Sequence, residues 1–230
     1  MCAGAGDDLG ADSENPFSEE RRSMVESQLR RRGIHDQRVL DAMNKVPRHE
    51  FLSPRDWNEA YADHPIVIPE QQTASQPYMI ASMLQSAEIQ PQDRVMEIGA
   101  GSGYQTALMA ELASEVVAVE RYQTLADGAR EALARLGYGN VSVLTGDGSL
   151  GAPQFAPFDA IIVSAAAPRI PPALVGQLAP GGRLVIPVGD AHQQVLQLAR
   201  KHQDGTVTVH ALEGCRFVPL IGEQGFENSR

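Results

Sequence analysis

One run, Arg94-Val-Met-Glu-Ile-Gly-Ala-Gly-Ser-Gly-Tyr104, restricts the possible folds of this chain more than any other. Its apolar residues end in three alternating glycines, and the helical pattern Gln105-Thr-Ala-Leu-Met-Ala-Glu-Leu112 follows at once. The pattern predicts a buried strand, a turn free of bulky side chains, and a helix whose N-terminus faces whatever lies above that turn. Glycines in such a turn accept φ > 0 at little cost and let a ligand approach the backbone. A second apolar run, 115–119, ends in Glu120, 21 residues after Gly99. Nucleotide-binding α/β folds set an acid on a ribose at about that separation. Together the two features describe a site for a cofactor that carries a nucleoside.

Spacing narrows the choice of cofactor. The dinucleotide pattern Gly-x-Gly-x-x-Gly is not met, because Tyr104 or Thr106 occupies the sixth place. The pattern here is acid-x-Gly-x-Gly-x-Gly (Glu97, Gly99, Gly101, Gly103), which resembles the S-adenosylmethionine site of class I methyltransferases. A ligand-free strand–helix turn is the alternative, and the distal acid argues against it. Ala100 and Tyr104 flank Ser102 where a hydrolase nucleophile elbow needs glycines, so that chemistry is excluded.

The rest of the chain supports an α/β fold. Segments 94–98, 116–120, 141–145, 158–163 and 183–187 read as strands, with helices at 104–113, 122–136 and about 171–178. Alternation of this kind predicts a doubly wound, mostly parallel sheet, finished by strand-like runs among 194–198, 206–209 and 217–218; the class I methyltransferase type of sheet has seven strands. Ahead of it, residues 17–65 read as a helical appendage: Ser18 caps a helix that Gly33 stops, and Asp36 caps a second that ends at Pro47. Residues 64–78, bracketed by Pro65, Pro69 and Pro77, read as an ordered polar loop entering a helix with an Ile80, Met83, Leu84 face. Residues 17–230 thus form one domain behind a disordered acidic leader, 1–16.

Charge excludes some partners. The net charge is −10, but six acids precede the first basic residue, so the body carries only about −4 and shows no Lys/Arg stripe for phosphates. Cys2 and Cys215 are the only cysteines and the six histidines are scattered, which indicates neither a disulfide framework nor a metal site. No apolar run approaches the length of a membrane span. The start, Met1-Cys-Ala-Gly, reads as the leader of a cytoplasmic protein; an exported lipoprotein attached through Cys2 is the alternative.

In such sheets the ligand lies beyond the carboxyl ends of the first and fourth strands. That rule gathers Gly99–Gly103, Glu120, the Gly146-Asp147-Gly148 turn and Ser164. Glu120 can accept from both ribose hydroxyls. Asp147 either accepts from an adenine amino group or caps an ordinary Asp-Gly turn. Glu97 either touches the ligand or holds the glycine loop.

The resemblance then becomes more specific. Met24-Val-Glu-Ser-Gln-Leu29, Arg32-Gly-Ile34, Val46-Pro-Arg-His49, Gln72-Thr-Ala-Ser-Gln-Pro-Tyr78, Ala165-Ala-Ala-Pro168, Pro180-Gly-Gly-Arg-Leu-Val-Ile-Pro-Val-Gly189 and Arg216-Phe-Val-Pro-Leu220 are similar to the protein-L-isoaspartate O-methyltransferase family. The likeness runs from about Met24 to Gly222. It implies methyl transfer from S-adenosylmethionine to the α-carboxylate of isoaspartyl residues in damaged proteins and peptides. S-adenosylhomocysteine is the other product, and the ester closes through a succinimide toward aspartate. It also implies Ser75 as the active-site serine, with Thr73, Ala74, Val218, Pro219 and Leu220 toward substrate. On the cofactor side it implies Gln72, Tyr78, Glu97, Gly99, Ala100, Gly101, Ser102, Gly103, Glu120, Arg121, Asp147, Gly148 and Ser164. A cytoplasmic monomer that binds no nucleic acid is expected. Rival readings are a class I methyltransferase redirected to another carboxylate or small molecule, and a non-catalytic binding protein on the same fold. Three departures bear on substrate: Pro69-Glu-Gln71 replaces a Gly-aromatic-Gly, Ala74 a larger aliphatic, and Ile221 a common Thr. Glu70 repels an anionic substrate unless it is turned away.

Overall fold

A computed structural model of the chain describes residues 17–190 and 192–227; the leader and Cys2 lie outside them. Helix α1 (Phe17–Ser23) continues through wider turns over Met24–Leu29 and a tight turn over Arg30–Arg32, then stops at Gly33 with φ +96°. Ser18 is not the cap expected of it: the described helix already includes Phe17, and Ser18 is buried in the first turn. Asp36 does cap α2 (Gln37–Lys45), accepting the N–H groups of Arg38 and Val39.

Residues 66–78 are not simply a loop. They contain an antiparallel hairpin, β1 (Ile66–Ile68) with β2 (Gln72–Ala74). Ile66, Ile68 and Ala74 point inward while Val67 is exposed, so β1 alternates as a half-buried strand should. Pro65 and Pro69 stand just outside β1, where a missing N–H costs no ladder bond. The turn between the strands places Glu70 at φ +60° and Gln71 at φ +56°, conformations that glycine adopts far more easily. Pro77 opens α3 (Pro77–Ala87), whose Ile80, Met83 and Leu84 are buried as expected.

The sheet follows: β3 (Arg94–Ile98), α4 (Tyr104–Leu112), β4 (Glu115–Glu120), α5 (Gln123–Arg135), β5 (Val141–Thr145), β6 (Phe158–Val163), α6 (Pro172–Gly176), β7 (Leu178–Gly189), β8 (Gln194–Lys201) and β9 (Val207–Cys215). Its order is β5-β4-β3-β6-β7-β8-β9; the first five strands are parallel and β8 and β9 pair antiparallel. Phe217 and Val218 lie beyond β9 and add no strand. Their segment instead reaches back across the sheet end, where Ala166 and Pro219 form a single bridge.

Alternation along the strands feeds two apolar layers. Val95, Val116, Ala160, Ile162 and Val185 pack with α2–α5, and Met24 and Leu29 join the same cluster. The helical front therefore shares the sheet's main core rather than forming one of its own. Met96, Ile98, Val117, Val119, Ile161, Leu184 and Ile186 face α6 and the Leu220 segment. Because β4 and β6 flank β3 on opposite sides, the chain reverses its winding at β3, and a crevice opens above that strand's carboxyl end.

Gln71→Gly relieves a left-handed non-glycine conformation in the hairpin turn. It is expected to raise stability by about 1 kcal/mol, read as a shift in urea midpoint at constant slope.

Candidate active site

Each feature of the crevice follows from a strand end. After β3 the chain turns through Gly99, Gly101 and Gly103, at φ +87°, +54° and +89°. A Cβ on Gly99 would meet Ser164 only in ordinary contact at 3.6 Å, whereas one on Gly103 would crowd Ala129 at 3.2 Å. Gly103 thus serves close packing of α4 on α5, while Gly99 and Gly101 face the crevice. At the end of β4, buried Glu120 accepts the Gly101 N–H at 2.9 Å and the Tyr122 N–H at 3.0 Å. Each carboxylate oxygen keeps acceptor capacity toward the open side.

The main cleft, about 370 Å³, is bounded below by Ile98, Gly99, Gly101, Val119 and Glu120. Gln72 and Thr73 of the hairpin, with Arg121, Gly148, Ser164 and Val218-Pro-Leu220, complete its walls. Pockets of this size suit cofactors, typically about 300–1,000 Å³. A smaller recess of about 40 Å³ adjoins it, where Thr73, Ala74 and Ser75 meet Glu97, Ala100, Ser102 and Ser164. Ala166 and the 218–220 segment are joined by Ala166 N–H to Val218 C=O at 2.8 Å and Leu220 N–H to Ala166 C=O at 2.7 Å. These bonds fix the segment that roofs the cleft.

Glu97 has a structural place behind the glycines. Alternation turns it toward α4, where Gln105 Nε2 donates to Oε1 at 2.9 Å and Thr106 Oγ1 bonds Oε2 at 2.5 Å. Gln105 Nε2 also reaches Ser164 Oγ at 2.8 Å, so one side chain links the ends of β3 and β6. Burial pushes the Glu97 carboxyl up to about 8, so it is mainly neutral at pH 7.

Two expected contacts lie elsewhere. Asp147 accepts from Ser149 N–H and Oγ at 2.9 and 2.7 Å and from Glu223 N–H at 2.8 Å. It thus caps its own turn and pins the C-terminal segment, and it borders a separate surface recess. Tyr78 lies at the start of α3 beneath the Arg32 guanidinium, 3.5 Å from its ring centroid, with its N–H bonded to Asp63. Glu70 remains on the wall of the cleft, and its carboxylate accepts from Thr124 Oγ1 at 3.0 Å, in the first turn of α5, where the helix end favours an anion.

Several lining residues carried no earlier assignment. Ile98 and Val119 are the last apolar residues of their strands, and the rule that ligands lie beyond strand ends points to them. Tyr122, two residues past Glu120, also lines the cleft. Arg48 lines the small recess, yet its setting in Val46-Pro-Arg-His49 gave no sign of that. Among the described residues no three His, Cys, Asp or Glu side chains converge as a metal site would require.

A parallel sheet with a glycine turn and a strand-end acid at its switch point is the architecture of a class I S-adenosylmethionine-dependent methyltransferase. The chain belongs to the protein-L-isoaspartate(D-aspartate) O-methyltransferase family, whose model matches residues 19–225. It is 53% identical over 214 residues to the protein-L-isoaspartate O-methyltransferase of Koribacter versatilis, covering 93% of this chain and 96% of that one. With protein-L-isoaspartate O-methyltransferase 1 of Syntrophobacter fumaroxidans it shares 51% identity, over 92% of this chain and 98% of that one. Among solved structures, one named protein-L-isoaspartate O-methyltransferase matches with TM-score 0.79 at 29% identity, over 89% of this chain and 67% of that one. A second, from Plasmodium falciparum and in complex with S-adenosyl-L-homocysteine, matches at TM-score 0.76 and 28% identity, over 87% of this chain and 98% of that one.

The raised Glu97 carboxyl has a measurable consequence. Between its ordinary 4.5 and about 8, the folded state holds a proton that the unfolded state has lost. Stability contributed there is full below 4.5 and falls as pH rises. Against Glu97→Gln, wild-type protein should lose stability with rising pH by at most about 1.4 kcal/mol per pH unit. Urea titrations across that range give the slope directly.

Proposed function

We propose that Gly99, Gly101, Glu120, Gly148 and Ser164 hold S-adenosylmethionine in the main cleft, with the Thr73–Ser75 hairpin and Val218-Pro-Leu220 presenting the isoaspartyl carboxylate. The protein is a repair methyltransferase acting on L-isoaspartyl residues, and these assignments describe how its geometry serves that reaction. One observation supports them above the others: the glycine turn and Ser75 line the same recess, so donor and acceptor sites meet there. The residues fit the donor. Gly99 and Gly101 bare their backbone, and Glu120 offers free lone pairs to a ribose.

When bound, S-adenosylmethionine supplies a methyl group already activated on a sulfonium, which a carboxylate oxygen takes as the carbon–sulfur bond breaks. No base is required of the protein, since a carboxyl with a pKa near 4 is ionised at neutral pH. The task left to the chain is orientation. Ser75 and Thr73 hydroxyls donate to the carboxylate and fix its line of approach, while Leu220 and Ile98 keep water from the cleft. Charge disappears as methyl and carboxylate combine, so a partly desolvated site favours the transition state over the separated ions.

We also read the chain as a cytoplasmic monomer. Two cysteines in 230 residues suit a reducing compartment. No helix among the described residues is long and apolar enough to cross a membrane.

The test uses labelled S-adenosylmethionine and paired peptides that differ only in isoaspartate or aspartate. Base-labile label is expected on the isoaspartyl peptide alone. Ser75→Ala should lower kcat/KM on that peptide by about 10- to 100-fold, the loss of one hydrogen bond to a charged group. Equal labelling of both peptides, or an unchanged kcat/KM in the variant, would refute the assignment.

A further inference from the structure

Arg48 is the most completely buried cation of the described chain, with no exposed surface. It opens the turn Arg48–Phe51 and reaches under the hairpin, where Nη2 donates to the Ser75 carbonyl at 2.9 Å. Its guanidinium carbon lies 4.8 Å from the centroid of the buried Tyr104 ring. Nε and Nη1 are buried and have no hydrogen-bond partner. A guanidinium stays protonated even where burial pulls its pKa down, as here. The protein thus holds a positive charge with two unused donors beside the residue that faces the substrate.

The chain's own acids do not neutralise it. Glu97, on the same recess, is occupied by Gln105 and Thr106 and is mainly neutral at pH 7. Asp63, whose charge Arg48 feels, bonds the Tyr78 N–H through one oxygen and Arg32 through the other. No ion pair links Arg48 to any described carboxylate. A buried cation left this way is unfavourable unless an anion arrives with a ligand. The recess that Arg48 lines measures about 40 Å³, small for a nucleoside. About 10–15 Å³ admits one water, so the space suits a group the size of a carboxylate.

We propose that Arg48 is a carboxylate-binding residue of the active site, its free Nε and Nη1 donors pairing with a carboxylate carried by a bound reactant. This rests on the assignment of the cleft to S-adenosylmethionine. Two reactants carry that group: the amino-acid end of the methyl donor, and the isoaspartyl substrate. The Nη2 bond to Ser75 makes the same side chain a tie between the helical front and the hairpin, so hairpin position and charge recognition are coupled through one guanidinium.

Calorimetric titration of wild type, Arg48→Lys and Arg48→Met distinguishes the sources. The probes are S-adenosylhomocysteine and 5′-methylthioadenosine, a nucleoside thioether without the amino-acid end, and KM and kcat on an isoaspartyl peptide are measured alongside. If the carboxylate is the donor's, Arg48→Met weakens S-adenosylhomocysteine at least 10-fold and methylthioadenosine less than 2-fold. If it is the substrate's, both nucleosides bind as before and KM for the peptide rises at least 10-fold with kcat little changed. In either case Arg48→Lys recovers part of the loss, since it keeps the charge but not the fork. Unchanged constants throughout, or equal weakening of both nucleosides with a lowered Tm, would overturn the proposal and leave Arg48 as a structural tie. Should Arg48→Met fail to fold, the Arg48→Lys titrations decide by the same ratios, read at 2-fold rather than 10-fold. Failure of wild type to bind S-adenosylhomocysteine would overturn the cleft assignment itself.

Discussion

The bond from the Gly101 N–H to the Glu120 carboxylate, 2.9 Å long, is the contact on which the site depends. It joins the turn after β3 to the end of β4, so two neighbouring strands present one continuous surface. A glycine turn by itself is conformationally loose, because glycine has many accessible states to choose among. Tied to a buried acid on one side and packed against Ser164 and Ala129 on the other, it has one. The acid in turn is kept partly satisfied by backbone, which lets it be buried at 5% exposure and still offer lone pairs outward.

The second layer behind the turn is polar and closed. Glu97, Gln105, Thr106 and Ser164 bond to one another across β3, α4 and β6. Such a network specifies position strongly because each member is costly to leave unpaired in a low dielectric. Its neutral carboxyl also keeps a second negative charge away from Glu120, which a like-charge neighbour would otherwise disfavour.

Above the sheet, the site is made by segments distant in the chain. The hairpin at 66–74, the roof at 218–220 and the turn at 148 are held by few bonds each, and they belong to no regular layer. Glu70 illustrates how context changes a residue's meaning. Read alone it is a charge unfavourable to an anionic substrate; in the fold it lines the cleft and, bonded to Thr124, also braces the hairpin against α5.

Much of this was legible in the residues alone. Periodicity and the two sequence signatures, glycines after one strand and an acid after the next, determined the parallel sheet, its switch point and the cofactor class, because strand ends and turns are governed by local φ/ψ and by period-2 burial. Gly33, Asp36 and Pro77 marked helix ends for the same local reasons. What only the tertiary structure decided concerns long-range pairing. The hairpin was hidden by its prolines, since the ladder that tolerates them is made with a partner strand. Asp147 faced two uses, and its choice of Ser149 and Glu223 depended on where residue 223 returns. Arg48 and Ser75 lie 27 residues apart, and their bond forms only because α2 packs on α4 while the hairpin folds over the glycine turn. Local chemistry chooses the elements, but a buried charge acquires its role from whatever the fold brings beside it.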